Sequence, residues 1–257
     1  MSQWYTVFKK EIIQQWHNKQ LIWFPIVFIL LAIMDPITFY FLPELLELTG
    51  GLPEGAIFEI PELQPEEALL MALEQLNTFG VLLLVLISMG TIARERSSLI
   101  GEMMFTKPIR PFQYVFAKWG AFVILTVLAL TVGLLMNWYY VNILFGKLSF
   151  KTFSLLLMFY SLWFLFVLAI ILFYNSFAKK QWYVALFTIV TLLGLTLINT
   201  LFNHYLPYFP NQLTSELQLL VTTGNISVEL WGIAIILLIV SCCLLSSAAI
   251  IFKRIKI

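Results

Sequence analysis

Six stretches of about 20 or more predominantly apolar residues, at residues 21–41, 65–97, 120–144, 153–174, 182–201 and 230–252, constrain this chain more than any other feature. In the hydrocarbon of a bilayer no water satisfies backbone N–H and C=O groups, so a run of that length must close its hydrogen bonds within itself, as an α-helix. The composition agrees: 61% of the residues are hydrophobic and 11% charged, against about 25% charged in soluble domains. The expectation is an all-α, polytopic membrane protein with six transmembrane helices in a single domain over residues 1–257. The second stretch is longer than a bilayer is thick, so its first turns should project outward; it opens on Pro65-Glu66-Glu67, a proline and two acids where the helix dipole favours them.

Lysine and arginine set the orientation. Lys9, Lys10 and Lys19 precede the first stretch; Arg94, Arg96, Lys107, Arg110 and Lys118 lie between the second and third; Lys179 and Lys180 lie between the fourth and fifth; Lys253, Arg254 and Lys256 follow the last. These thirteen fall on one side of the expected membrane, and only Lys147 and Lys151 on the other. The positive-inside rule therefore places both termini in the cytoplasm. Aromatics stand where interfacial belts belong, with Trp119, Trp182 and Tyr183 at one boundary and Trp138, Tyr139, Tyr140, Tyr205, Tyr208 and Trp231 at the other. The net charge of +1 says little because the signs are segregated along the chain, and nucleic acid is not an expected partner.

Residues 1–20 read as an amphipathic helix lying on the membrane, with membrane lipids as partners. Tyr5, Phe8, Ile12 and Trp16 recur at helical spacing, while Lys10, Gln14, His17 and Asn18 fall on the other side. Docking on a cytosolic partner is the alternative. Asp35-Pro36 inside the first stretch reads as an N-cap and first helical position, so a break and restart are expected there; an acid placed at depth for function is the other possibility. Residues 42–66 carry Glu44, Glu47, Glu54, Glu59, Glu62 and Glu66 with four prolines and no lysine or arginine. They read as an acidic outer loop with a short helix at 42–48. A second short helix is expected around 215–221, in the outer loop that holds His204. Cys242 and Cys243, adjacent in an apolar run, have the spacing of neither a disulfide framework nor a metal site, and read as small helix-packing residues among Ser241, Ser246, Ser247, Ala248 and Ala249.

The chain contains no GxxxxGK[ST] phosphate loop, no HExxH and no nucleophile elbow, and no pair of buried carboxylates suggests itself. An enzyme is therefore not expected, nor a cofactor bound in this chain. What remains is residues 92–118, the longest charged interval on the cytosolic side. Within 94–118, Ser97 and Ser98 can cap a short helix at 99–105 that Lys107-Pro108 ends. That helix would offer Leu99, Met103 and more obliquely Ile100 and Met104 to a groove in a partner, with Glu102 polar. Arg94, Glu95, Arg96, Leu99, Gly101, Glu102, Met103, Lys107 and Pro108 are the candidate contact and anchoring residues.

The runs Ala93-Arg94-Glu95-Arg96-Ser97-Ser98, Gly101-Glu102, Lys107-Pro108-Ile109-Arg110 and Ala117-Lys118 resemble the ABC-2 type permease family, as do the interfacial "elbow" helix, the six spans and the cytosolic termini. The large loop between spans one and two is more like that of its copper-maturation and small efflux members than that of polysaccharide exporters. The resemblance implies the permease subunit of an ATP-driven ABC exporter in a cell membrane, most naturally a bacterial one. It would dimerise with itself or a related permease and bind two copies of a separate ATPase subunit that holds the ATP. The helix at 99–105 would be the coupling helix. A secondary transporter or channel without an ATPase, and an immunity or regulatory membrane protein, are the alternatives.

Overall fold

A computed structural model describes residues 3–44, 63–96, 110–202 and 205–255. Every regular element among them is helical: α1 (Gln3–His17), α2 (Gln20–Tyr40), α3 (Pro65–Gln75), a π-helical segment (Leu76–Gly80), α4 (Val81–Ser88), α5 (Ala93–Arg96), α6 (Pro111–Leu144), α7 (Phe150–Phe177), α8 (Gln181–Phe202), a 3-10 turn (Pro210–Gln212), α9 (Leu213–Thr223) and α10 (Val228–Ile255). Six helical segments are long and apolar enough to cross a membrane; α3 through α5 form one of them. This is a multi-pass membrane protein.

The span boundaries follow the hydropathy, but the helices outrun it. α6 has 34 residues, about 51 Å at 1.5 Å per residue, against about 30 Å of hydrocarbon. It therefore carries Tyr114 and Lys118 on turns beyond the expected span. α7 is the central helix, with 67% of its apolar window buried, whereas α8 buries 11% and touches the bundle along one narrow edge. The deepest core packs Phe24 and Phe28 of α2, Leu69 and Leu76 of the second span, Leu130 of α6 and Phe164 of α7.

The expected break at Asp35-Pro36 does not occur. α2 runs unbroken through Pro25 and Pro36. Proline lacks the N–H that would bond the carbonyl four residues back, and that carbonyl, Ala32 O, instead accepts from the fully buried Asn137 Nδ2 of α6 at 2.6 Å. Asp35 accepts from Gln75 Nε2 at 3.1 Å, so it is neither a cap nor an isolated acid. Close approach makes the Asn137 bond possible: a Cβ on Gly133 would lie 3.0 Å from Phe28 O, backbone that cannot yield.

The second span opens as expected, with Pro65 in the first turn and Gln64 N donating to Glu67 Oε2 at 3.2 Å. It then widens into the π segment, where α7 supplies partners: Tyr160 donates to Leu73 O at 2.8 Å and Trp163 Nε1 to Asn77 Oδ1 at 2.9 Å. The short helix expected around 215–221 is present and longer. α9 buries Leu213, Leu217, Leu220 and Val221 and ends at Gly224, whose φ of 70° is the left-handed stop that glycine takes without penalty.

α1 packs on the bundle through an unexpected face. Val7, Glu11 and Gln15 are buried, whereas Tyr5 and Trp16 are exposed. The helix thus has three faces: one against α6 that includes polar side chains, an apolar one turned away from the protein, and a polar one bearing Lys10 and His17. Among the small residues of α10, Ser241, Ala248 and Ala249 pack inward, but Cys242 and Cys243 are exposed rather than packed. Residues 42–44, the start of the helix expected at 42–48, are helical, and 63–66 lead into α3; residues 45–62 of the acidic loop, and His204, lie outside the described residues.

Candidate functional site

The site is built around a break in the second span. Residues 89–92 leave the helix after α4 and α5 resumes at Ala93. Such a break strands N–H and C=O groups that must find partners elsewhere. One side chain serves both open ends: the buried Asn175 of α7 accepts from the N–H groups of Ile92 and Ala93 at 3.2 Å each and donates to Ser88 O at 3.2 Å.

Beside the break lies a buried ion cluster. Lys118, with 0% of its surface exposed, donates from Nζ to Glu11 Oε1 at 2.7 Å and to Thr91 O at 2.9 Å, and its Nζ stands 3.1 Å from Glu95 Oε2. Glu95 also accepts from Tyr114 Oη and from Lys10 Nζ. Two carboxylates against two ammonium groups leave no net charge, which is the condition under which charges tolerate burial. The sequence pointed to no pair of buried carboxylates; the structure brings the buried Glu11 and the half-buried Glu95 to either side of the Lys118 ammonium.

The cluster continues into aromatic contacts. Lys118 Nζ stands 5.1 Å from the Tyr114 ring centroid, and Tyr114 stacks on Phe252 of α10 with centroids 5.0 Å apart and planes 13° from parallel. Arg96 lies over the other end of this stack, its Cζ 5.8 Å from the Phe252 centroid. Its guanidinium donates to the Ser176 and Ala178 carbonyls, free at the C-terminus of α7. An apolar cluster including Val7, Ile92, Tyr114, Leu172 and Phe252 underlies all this.

The candidate residues of the sequence divide accordingly. Glu95 is at the centre of the ion cluster, Arg96 clasps the end of α7, and Arg94 lines a cleft with Gln181. Leu99, Gly101, Glu102, Met103, Lys107 and Pro108 lie outside the described residues, as does the whole helix expected at 99–105. What is described is both roots of that segment, and the Glu95–Tyr114–Lys118 contacts join them. On the far root, Arg110 N also donates to Gln3 Oε1 of α1 at 3.2 Å. Sequence reasoning missed Glu11, Tyr114 and Asn175. Asn175 carried a signal, as an amide near the end of an otherwise apolar helix; Glu11 and Tyr114 carried none.

No family model matches the chain. Over 162 residues it is 29% identical to a Bacillus subtilis (strain 168) protein named as the uncharacterized transmembrane protein YxlG, a match covering 63% of each chain. It is similar to a transmembrane protein. The chain thus spans less than two thirds of that relative's length, and the relative's name states no activity.

Proposed function

We propose that this chain is the membrane-spanning subunit of an ATP-driven ABC exporter, working as a dimer and driven by two copies of a separate ATPase. The observation that carries the reading is the joining of both roots of the 97–109 segment into one neutral, partly buried cluster. Through it the segment is tied to α1 by Lys10 and Glu11, to α6 by Lys118, to α7 by Arg96 and Asn175, and to α10 by Phe252. A partner that moves the segment moves these four elements at once. With both termini and this segment in the cytoplasm, closure of the nucleotide-binding pair would tilt the cluster, and the break at 89–92 would take up the bend so that the spans exchange between two arrangements.

A cavity of about 410 Å³ between the second span and α8 agrees with this role. It mixes Asn77, Thr78, Thr196 and Asn211 with apolar side chains and adjoins the π segment, a geometry often found at functional sites. The exposed outer edge of α8 leaves room for a second permease copy.

The test is purification of the chain with its co-expressed ATPase in lipid nanodiscs, comparing turnover with and without the permease. We expect Glu102→Lys, or deletion of residues 98–104, to lower ATPase co-purification or stimulated turnover while membrane insertion is unchanged. Unaltered coupling in both variants would overturn the assignment.

A further inference from the structure

Gln15 is 2% exposed, and neither its Oε1 nor its Nε2 has a hydrogen-bond partner. A buried amide left unpaired costs free energy, and this one lines a cleft of about 290 Å³ between α1, the break at 89–92 and the start of α8. Four more carboxamides, Gln14, Asn18, Gln20 and Gln181, line the same cleft. A neighbouring hollow of about 360 Å³ shares Arg94 and Gln181 with it and adds Lys179, Lys180 and Trp182. Together they form a groove with a carboxamide end, whose wall also holds Glu11 and Glu95 paired to Lys118 and Lys10, and a cationic end.

We propose that this groove binds the headgroup of an anionic glycerophospholipid whose alcohol carries free hydroxyls. The phosphodiester suits Arg94, Lys179 and Lys180, the arrangement by which basic pockets between membrane helices hold lipid headgroups. Hydroxyls both donate and accept, as carboxamides do, so a polyol head can donate to Gln15 Oε1 and accept from its Nε2; a choline head has no N–H or O–H to donate to Oε1. The occupant is a lipid rather than a soluble phosphodiester because apolar Leu86, Ile87 and Phe122 also line the cleft. Leu86 and Trp182 are themselves exposed toward the surroundings of the bundle, where acyl chains would lie. The inference does not rest on the exporter reading.

The experiment is electron spin resonance on the full chain reconstituted in phosphatidylcholine, with spin-labelled phosphatidylglycerol, phosphatidic acid and phosphatidylcholine as probes. The unmodified protein should immobilise phosphatidylglycerol about fivefold more strongly than phosphatidylcholine, as a near-surface basic residue allows, and more strongly than phosphatidic acid. Lys179→Gln with Lys180→Gln, exposed positions that leave the fold intact, should lower both anionic lipids toward phosphatidylcholine. Gln15→Leu should lower phosphatidylglycerol by about two- to tenfold and leave phosphatidic acid unchanged. Equal immobilisation of phosphatidylglycerol and phosphatidylcholine, or indifference of phosphatidylglycerol to Gln15→Leu, overturns the site. Displacement of the label by millimolar glycerophosphoglycerol overturns its assignment to a lipid.

Discussion

Asn137 and Pro36 are one device made of two residues. The proline removes a donor from the Ala32 carbonyl, and the amide of a neighbouring helix restores it. Asn137→Leu should therefore destabilise the protein by about 1–3 kcal/mol, the cost of an unpaired buried acceptor. Pro36→Ala in the same chain should recover most of that loss, because α2 then supplies its own N–H; thermal unfolding in detergent of the four proteins of the cycle tests this coupling. Lys118 is more demanding. Lys118→Met leaves Glu11 and Glu95 with only Lys10 and should cost about 3–5 kcal/mol, while adding Glu11→Gln should restore part of it. Lys118 was legible in the sequence as a charge ahead of the third span. Its partner was not, because Glu11 is 107 positions away and helical periodicity says which residues share a face, not which faces meet.

Among the elements, the contact of α2 with α6 sets the frame. At Gly133 the two backbones approach so closely that a side chain has no space. Gly133→Val should separate them, breaking the Asn137–Ala32 bond as well, and should lower the yield of folded protein more than Gly194→Val, whose added Cβ meets nothing within 4 Å. The break at 89–92 makes a further prediction. Asn175→Leu withdraws the acceptor of Ile92 and Ala93 and a donor to Ser88, so hydrogen exchange at residues 89–93 should accelerate by about tenfold or more. Hydropathy gave six apolar segments, because burial in lipid is a property of composition, but not the turns by which α6, α7 and α10 extend past them. It could give neither the π segment nor the break, since both depend on side chains of α7 completing a backbone that the second span leaves incomplete. The inward face of α1 escaped notice for a related reason: Trp4, Tyr5, Ile13 and Trp16 face away from the bundle, whereas the polar Glu11 and Gln15 face into it.

At the scale of the molecule the segregation of charge is the strongest statement about orientation. In a background of Cys242→Ser and Cys243→Ser, Lys179→Cys should react with a membrane-impermeant maleimide only from the cytoplasmic side, and Lys147→Cys only from the opposite side. Labelling of both from one side would refute the six-span topology. The ion cluster also bears on how the chain is made. Glu11 leaves the ribosome before Lys118 exists, by 107 residues, an interval of about 5 to 20 seconds at ordinary elongation rates. During that interval the Glu11 carboxylate of α1 has no buried lysine to receive it, so the contact of α1 with α6 cannot close. Assembly of this end of the bundle is therefore ordered in time: α1, made well before α6, is fastened only once α6 arrives.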